Sequence, residues 1–326
     1  MPDKIRWGII GTGAIARKFA EGLTALLDAE LVGIGSRSQA KADEFAAQFN
    51  VPFRYDSYEA LANDPEIDAI YVATPHSLHA ENTLLALEAG KPVLCEKPFT
   101  INAQQAELVI QTARSKKLLA MEAMWTRFLP MMVRLKEMLA EGTIGEVRTL
   151  TADFGFKAKS EEGRLFDPAF GGGALLDVGV YPISLASMLF GTPATVTGSA
   201  ELGSTGVDEQ AAMVLTHPGG ELALLHTSIR TNTFHEATIV GTEGKIKLQP
   251  SWWQGTDMTL FLDDGGEELL EFPYTGNGYQ FEAAAFMECL LGGKTECAIM
   301  PLDETLSIMK TMDGLRAQWG LKYPME

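Results

Sequence analysis

Three short strings in this chain of 326 residues carry side chains whose types and spacing suit chemistry. The first is GTGAIA at 11–16, a G-x-G-x-x-A run that follows the apolar stretch IRWGII and opens a helical pattern. Gly11 permits a tight turn, Gly13 leaves room for a pyrophosphate to approach the backbone, and Ala16 is small enough for close helix–strand packing. The helix starting there turns the N–H groups around Thr12, Ala14 and Ile15, and the positive end of its dipole, toward phosphate. The second string is Glu96-Lys97-Pro98, which ends the buried run PVLC. It puts an amine at the carboxyl edge of a sheet, where ligands gather in α/β proteins, and a lysine closing a buried strand is costly unless it is used. The third is GGGALLDVGVYPI at 171–183. Its glycines let the chain pass close to a ligand, and Asp177 and Tyr181, four apart, fall on one face of a helix.

The end of the second strand discriminates between dinucleotides. An acid there hydrogen-bonds a ribose 2′-OH. This chain has Ser36, Arg37 and Ser38 instead, with Lys41 one helical turn on. A hydroxyl with a guanidinium holds a 2′-phosphate that an acid would repel, and Arg37 can also stack on adenine. NADP is therefore expected, with NAD use left open. Thr74, Pro75 and His76 leave the carboxyl end of a further strand and line the nicotinamide side or cap the next helix, as does His79. The two histidines lack the further His, Cys or carboxylate neighbours that a metal needs, so no metal is expected.

The elements that must position these groups alternate in the first third of the chain. Strands are expected over 5–10, 30–36, near Phe53, and over 69–74, 92–97 and 118–124. Helices fall between them at 14–27, 39–49, 57–62, 79–90 and 102–117, the last with Asn102 as N-cap. Strands apolar throughout with helices between them mean a doubly wound parallel sheet of the Rossmann kind, in an α/β fold. After a helix at 127–141 the pattern changes to a long strand at 146–156 and a helix at 172–190. Alternating strands follow from 194 to 272, with turns at HPGG, GTEG and DDGG, and two helices end the chain. This second region reads as an α+β domain on a mainly antiparallel open sheet. The expected division is 1–123 for the dinucleotide and 124–326 for substrate and dimerisation.

A formal net charge of −17 makes nucleic acid and anionic membrane poor partners. No apolar stretch is read as approaching the ~20 residues of a membrane span. Three cysteines with no metal or redox spacing suit a reduced, cytoplasmic protein.

GTGAIA, EKP and GGGALLDVGVYPI, in that order along the chain, resemble the Gfo/Idh/MocA oxidoreductases. EAMWTRF (122–128) and the tyrosine at 181 are similar to the dihydrodiol dehydrogenase and D-xylose dehydrogenase branch. The resemblance runs the length of the chain. It implies Lys97 as catalytic lysine and Tyr181 as acid/base partner, where many relatives have histidine. Asp177 would orient substrate hydroxyls or Lys97, Trp125 and Phe154 would line the substrate pocket, and Glu96 and Arg127 would serve the cofactor side. The substrate hydroxyl would bridge Lys97 and Tyr181 with its C–H facing nicotinamide. A nearby ammonium and an oxidised nicotinamide would lower the phenol from its usual ~10, and desolvation would lower the lysine, so either can be the base. Read without the resemblance, Tyr181, Trp125 and Phe154 are also compatible with ordinary core packing. Trp252 and Trp253 are expected in the sheet or an interface, with one able to reach the pocket. The implied activity is hydride transfer between NADP and a carbinol of a sugar or cyclic trans-diol, in a homodimer. The alternatives are a keto-sugar reductase, an inositol dehydrogenase, or a nucleotide-sensing regulator without catalysis.

Overall fold

The apolar runs of the first third pair as their lack of alternation demands. In the computed structural model, which describes residues 4–326, six strands run parallel: β1 (Ile5–Ile10), β2 (Ala29–Gly35), β3 (Phe53–Tyr55), β4 (Ala69–Val72), β5 (Val93–Glu96) and β6 (Ala120–Ala123). Their order is β3-β2-β1-β4-β5-β6, so the winding reverses between β1 and β4, and a crevice for ligand opens beyond the carboxyl ends of those two strands. β4, β5 and β6 are buried at every residue. Between the strands lie α1 (Ala14–Leu23), α2 (Gln39–Phe49), α3 (Tyr58–Ala62), α4 (His79–Glu88) and α5 (Ala103–Lys116). The Asn102 side chain accepts the Gln105 N–H at 2.9 Å, the cap its position called for.

Contacts divide the chain into two compact units, Met1–Trp125 with Thr275–Leu306, and Thr126–Tyr274 with Ser307–Glu326. One boundary after residue 123 does not anticipate this return of the chain. Helix α8 (Tyr279–Leu291) belongs with the first unit because its apolar face finds a core there: Phe286 lies 5.2 Å from the Trp7 ring of β1. A Cβ on Gly22 of α1 would come within 3.0 Å of Tyr279, so the glycine permits close approach of the two helices.

The second unit holds β7 (Val147–Gly155), β8 (Thr195–Leu202), β9 (Asp208–Thr216), β10 (Leu222–Ser228), β11 (Ala237–Gly241), β12 (Gly244–Leu248), β13 (Asp257–Leu262) and β14 (Glu267–Glu271). They form one sheet in the order β14-β13-β12-β11-β7-β10-β9-β8, antiparallel except for the β7–β10 pair. HPGG, GTEG and DDGG turn β9 into β10, β11 into β12 and β13 into β14. Also in this unit are α6 (Pro130–Ala140), with its proline at the first helical position, and α7 (Val180–Phe190), which packs on β7 and β10. Helix α9 (Leu302–Trp319) starts in the first unit and ends in the second.

Three expectations need correction. The helix expected over 14–27 closes at Leu23, and i→i+3 bonds from Ala25 and Leu26 tighten its end, leaving Leu27 in solvent. The helix expected over 172–190 starts at Leu175 with a π-turn, Leu175–Gly179, before α7. The Val180 N–H returns to the Leu175 carbonyl, five residues back, which makes the turn wider than an α-helical one. Finally, Pro168–Phe190 is long and apolar enough to cross a membrane, against the reading that no stretch approaches that length. It is 83% buried, so its apolarity serves a core.

Candidate active site

The glycine turn after β1 has the geometry its sequence asked for. Gly11 sits at φ +106°, and a Cβ there would lie 2.7 Å from the Ala73 carbonyl oxygen, so only glycine fits. A Cβ on Gly13 would meet nothing within 4 Å, and Gly13 caps α1 with no side chain on the first-turn N–H groups. The N–H groups of Thr12, Ala14 and Ile15 belong to this open helix start, which fits a dinucleotide pyrophosphate. Ser36, buried at the end of β2, accepts the Ser38 N–H at 3.3 Å, while Arg37 and Lys41 are exposed. Arg37 also has a neighbour that sequence reasoning missed: the phenol of Tyr58, at the first position of α3, lies close enough to feel its charge. Burial raises that phenol above its ordinary value, and the guanidinium draws it partly back. Tyrosine at the head of a short helix gave no local signal of this.

At the carboxyl ends of β4 and β5 the backbone itself is braced. His79, 1% exposed, has Nδ1 2.7 Å from the Pro98 carbonyl and Nε2 2.9 Å from the Thr74 carbonyl. It therefore ties the Thr74-Pro75-His76 turn to the EKP turn. Asn82 donates to Thr74 Oγ1 at 3.1 Å, and the His76 and His79 rings meet edge to face at 5.7 Å. Lys97 is half-buried, and its N–H donates to Glu96 Oε2 at 3.2 Å. The other Glu96 oxygen accepts the Tyr71 hydroxyl. Glu282 of α8 is wholly buried with neither carboxyl oxygen hydrogen-bonded. Burial, and then the charge of Glu96, push it well above the usual carboxylate range. Trp125, 4% exposed, stacks on Tyr279 at 4.9 Å.

In the second unit Tyr181 stands 7% exposed on α7, its ring 5.3 Å from Phe154 of β7. Phe154 stacks face to face on Trp253 at 3.4 Å, and His235 meets Trp253 edge-on at 4.7 Å. Of the two adjacent tryptophans, Trp252 is wholly buried and donates its indole N–H to the Asp153 carbonyl at 2.8 Å. Trp253 is the one that extends the aromatic wall beside Tyr181. Asp177 lies in the π-turn, 5% exposed, and accepts from Arg164 at 2.7 Å. It stands four residues before Tyr181, which lies in the first turn of α7. Arg127 is 4% exposed and grips Ser184 of α7, through Nε to the hydroxyl at 2.9 Å and Nη2 to the carbonyl at 2.7 Å. Its place is as a brace for the helix that carries Tyr181.

Comparison with known proteins matches residues 5–124 to the oxidoreductase family with an NAD-binding Rossmann fold and residues 132–247 to the GFO/IDH/MocA C-terminal domain. The chain is 36% identical over 331 residues to trans-1,2-dihydrobenzene-1,2-diol dehydrogenase of Xenopus tropicalis, covering 98% of this chain and 99% of that one. It is 35% identical over 367 residues to D-xylose 1-dehydrogenase (NADP(+)) of Hypocrea jecorina, covering 99% and 94%. Among solved structures, a 3-ketoreductase from Actinomadura kijaniata in complex with NADP and TDP-benzene superposes with a TM-score of 0.87 at 29% identity, covering 96% of this chain and 97% of that one.

Proposed function

The chain belongs to the GFO/IDH/MocA oxidoreductase family, and from that premise we propose that it is an NADP-dependent dehydrogenase acting on a carbinol of a sugar or a cyclic trans-diol. The relatives named for a dihydrobenzene diol and for D-xylose support the substrate class. The observation that carries it is Tyr181 set against the stacked rings of Phe154 and Trp253. A phenol beside a broad aromatic wall suits a ring-shaped substrate that presents C–H groups to the wall and hydroxyls to the phenol.

The backbone of Gly11, Thr12, Gly13, Ala14 and Ile15 would hold the pyrophosphate, and Ser36, Arg37 and Lys41 would hold the 2′-phosphate. Thr74, Pro75 and His76 would flank the nicotinamide, while His79 and Glu96 keep that edge in shape and Arg127 steadies α7. NADP, when bound, would supply the hydride acceptor. As the carbinol C–H bond gives up its electron pair, the carbon becomes a carbonyl and the hydroxyl proton must leave. Of Lys97 Nζ and Tyr181 OH, one takes that proton and the other keeps a hydrogen bond on the same oxygen, a contribution of roughly 10²–10⁴-fold. Asp177, with Arg164, orients the neighbouring hydroxyls, and Trp125 and Phe154 line the substrate.

The protein is read as a cytoplasmic homodimer. Its three cysteines are all buried and free, as reduced thiols are. The face of the second unit's sheet that carries the exposed Val214, Leu222, Leu224 and Val240 among threonines supports a partner copy covering it.

Absorbance of NADPH formed with xylose, glucose, inositol and cyclic trans-diols tests the substrate class. Lys97→Met should reduce kcat by about 10²–10⁴-fold while NADPH affinity holds within about twofold by fluorescence titration. Unchanged turnover in that variant would refute the assignment.

A further inference from the structure

One buried acid in the second unit has no place in the chemistry above. Asp208, first residue of β9, is wholly buried beneath the three glycines that lead into the π-turn. Its Oδ2 accepts the Leu175 N–H at 2.6 Å, and its Oδ1 has no hydrogen-bond partner. Gly173, at φ +109°, leaves the space for it: a Cβ there would fall 2.2 Å from Asp208 Oδ1. The same glycine turn is tied from behind by Tyr323, whose hydroxyl donates to the Gly172 carbonyl at 2.6 Å. The π-turn and α7 thus start from a backbone gripped at Gly172 by a phenol and at Leu175 by a carboxylate. Two residues beyond Leu175 is Asp177, and six beyond is Tyr181.

We propose that Asp208 is the positioning residue of this site: as a charged cap on the first turn it fixes the backbone that aims Asp177 and Tyr181. This rests on the dehydrogenase reading for the roles of those two residues. A charged acceptor holds a buried N–H about twice as firmly as a neutral one. Burial pushes Asp208 up to about 7, with the Leu175 N–H opposing, so its charge changes near neutral pH. The groups facing it are the N–H groups of Ala174 and Leu175, the Arg316 guanidinium from α9 and the Tyr323 phenol from the C-terminal tail. Arg316 is itself paired with Asp313 and Glu326, so its charge is shared rather than given wholly to Asp208. Protonation at Asp208 loosens the cap, and turnover falls with it.

The test compares wild type with Asp208→Asn from about pH 6 to about pH 9, by steady-state kinetics and by amide hydrogen exchange at Leu175 corrected for its intrinsic rate. Wild type should lose kcat as pH falls through ~7, with Leu175 exchanging faster over the same range. Asp208→Asn should show a kcat about tenfold lower at alkaline pH, no limb near neutrality and a fast-exchanging Leu175, with NADPH affinity kept within about twofold. Wild-type kcat with an unmoved acid limb and unchanged Leu175 exchange in the variant would overturn the proposal. Should Asp208→Asn fail to fold, Tyr323→Phe replaces it: kcat reduced several-fold and faster exchange at 171–175 support the anchored turn, and neither change refutes it. Exchange needs no substrate, so a chain that moves no hydride yet protects Leu175 as described would sink the dehydrogenase reading and leave the cap standing.

Discussion

The proposed hold of Arg37 on a 2′-phosphate depends on more than Arg37 itself. Arg37 is exposed, and a long side chain in water gives up rotamer freedom when it binds. The Tyr58 phenol stands close enough to feel the guanidinium's charge, and a ring beside the side chain removes part of that freedom in advance. Arg37→Ala should raise KM for NADP by roughly 10–100-fold, the size of a lost hydrogen bond to a charged group, with little change for NAD. Tyr58→Phe should produce a smaller rise of the same kind. Initial rates with both dinucleotides measure the two effects, and equal losses with NADP and NAD would assign Arg37 a structural role instead. The GTGAIA turn was legible because its demand is local, a positive φ and an absent Cβ. Tyr58 was not, because it reaches Arg37 from a different helix.

At the scale of elements, the stretch from Gly171 to Phe190 combines a glycine turn, a π-turn and a regular helix. Asp208 makes this stretch costly to the fold. Its value in the folded protein is about 7 against 3.8 for the ordinary side chain, so the native state binds this proton more tightly than the unfolded chain does. Its contribution to stability is therefore complete below the unfolded value and is lost as pH rises through about 7. The ceiling is on the order of 4 kcal/mol. Urea unfolding at several pH values should show wild type losing stability relative to Asp208→Asn across that window. Parallel curves would mean that the carboxyl is equally at ease in both states. A group that weakens the native state when charged, and is kept where it grips the glycine turn, fits a segment held in place at the expense of stability.

At the scale of the whole molecule, exposed apolar residues of the second unit share one sheet face. Leu224 of β10 pairs in register with Val214 of β9, and Thr149 and Thr151 of β7 separate these strands from Val240 of β11. Exposed aliphatic side chains gathered on one open sheet face suit contact with a partner better than water. Leu224→Glu should convert the proposed homodimer into monomers in sedimentation velocity, with the circular dichroism spectrum unchanged. A dimer that persists would locate the interface elsewhere. The acidic surface, net −17, should keep those monomers soluble.

The parallel and antiparallel sheets and the dinucleotide turn could be named from the sequence, because alternation, apolar runs and glycine punctuation are imposed by neighbours a few residues away; the roles of Lys97, Tyr181 and Phe154 came with the family resemblance and stand as proposals. Tertiary structure alone decided which core claims α8, which of two adjacent tryptophans stacks on Phe154, that Arg127 grips α7, and that Asp208 lies against the glycine turn before α7. A periodic pattern states that a side chain must be buried. It does not say against what, since the partner is chosen by packing between segments far apart in the chain.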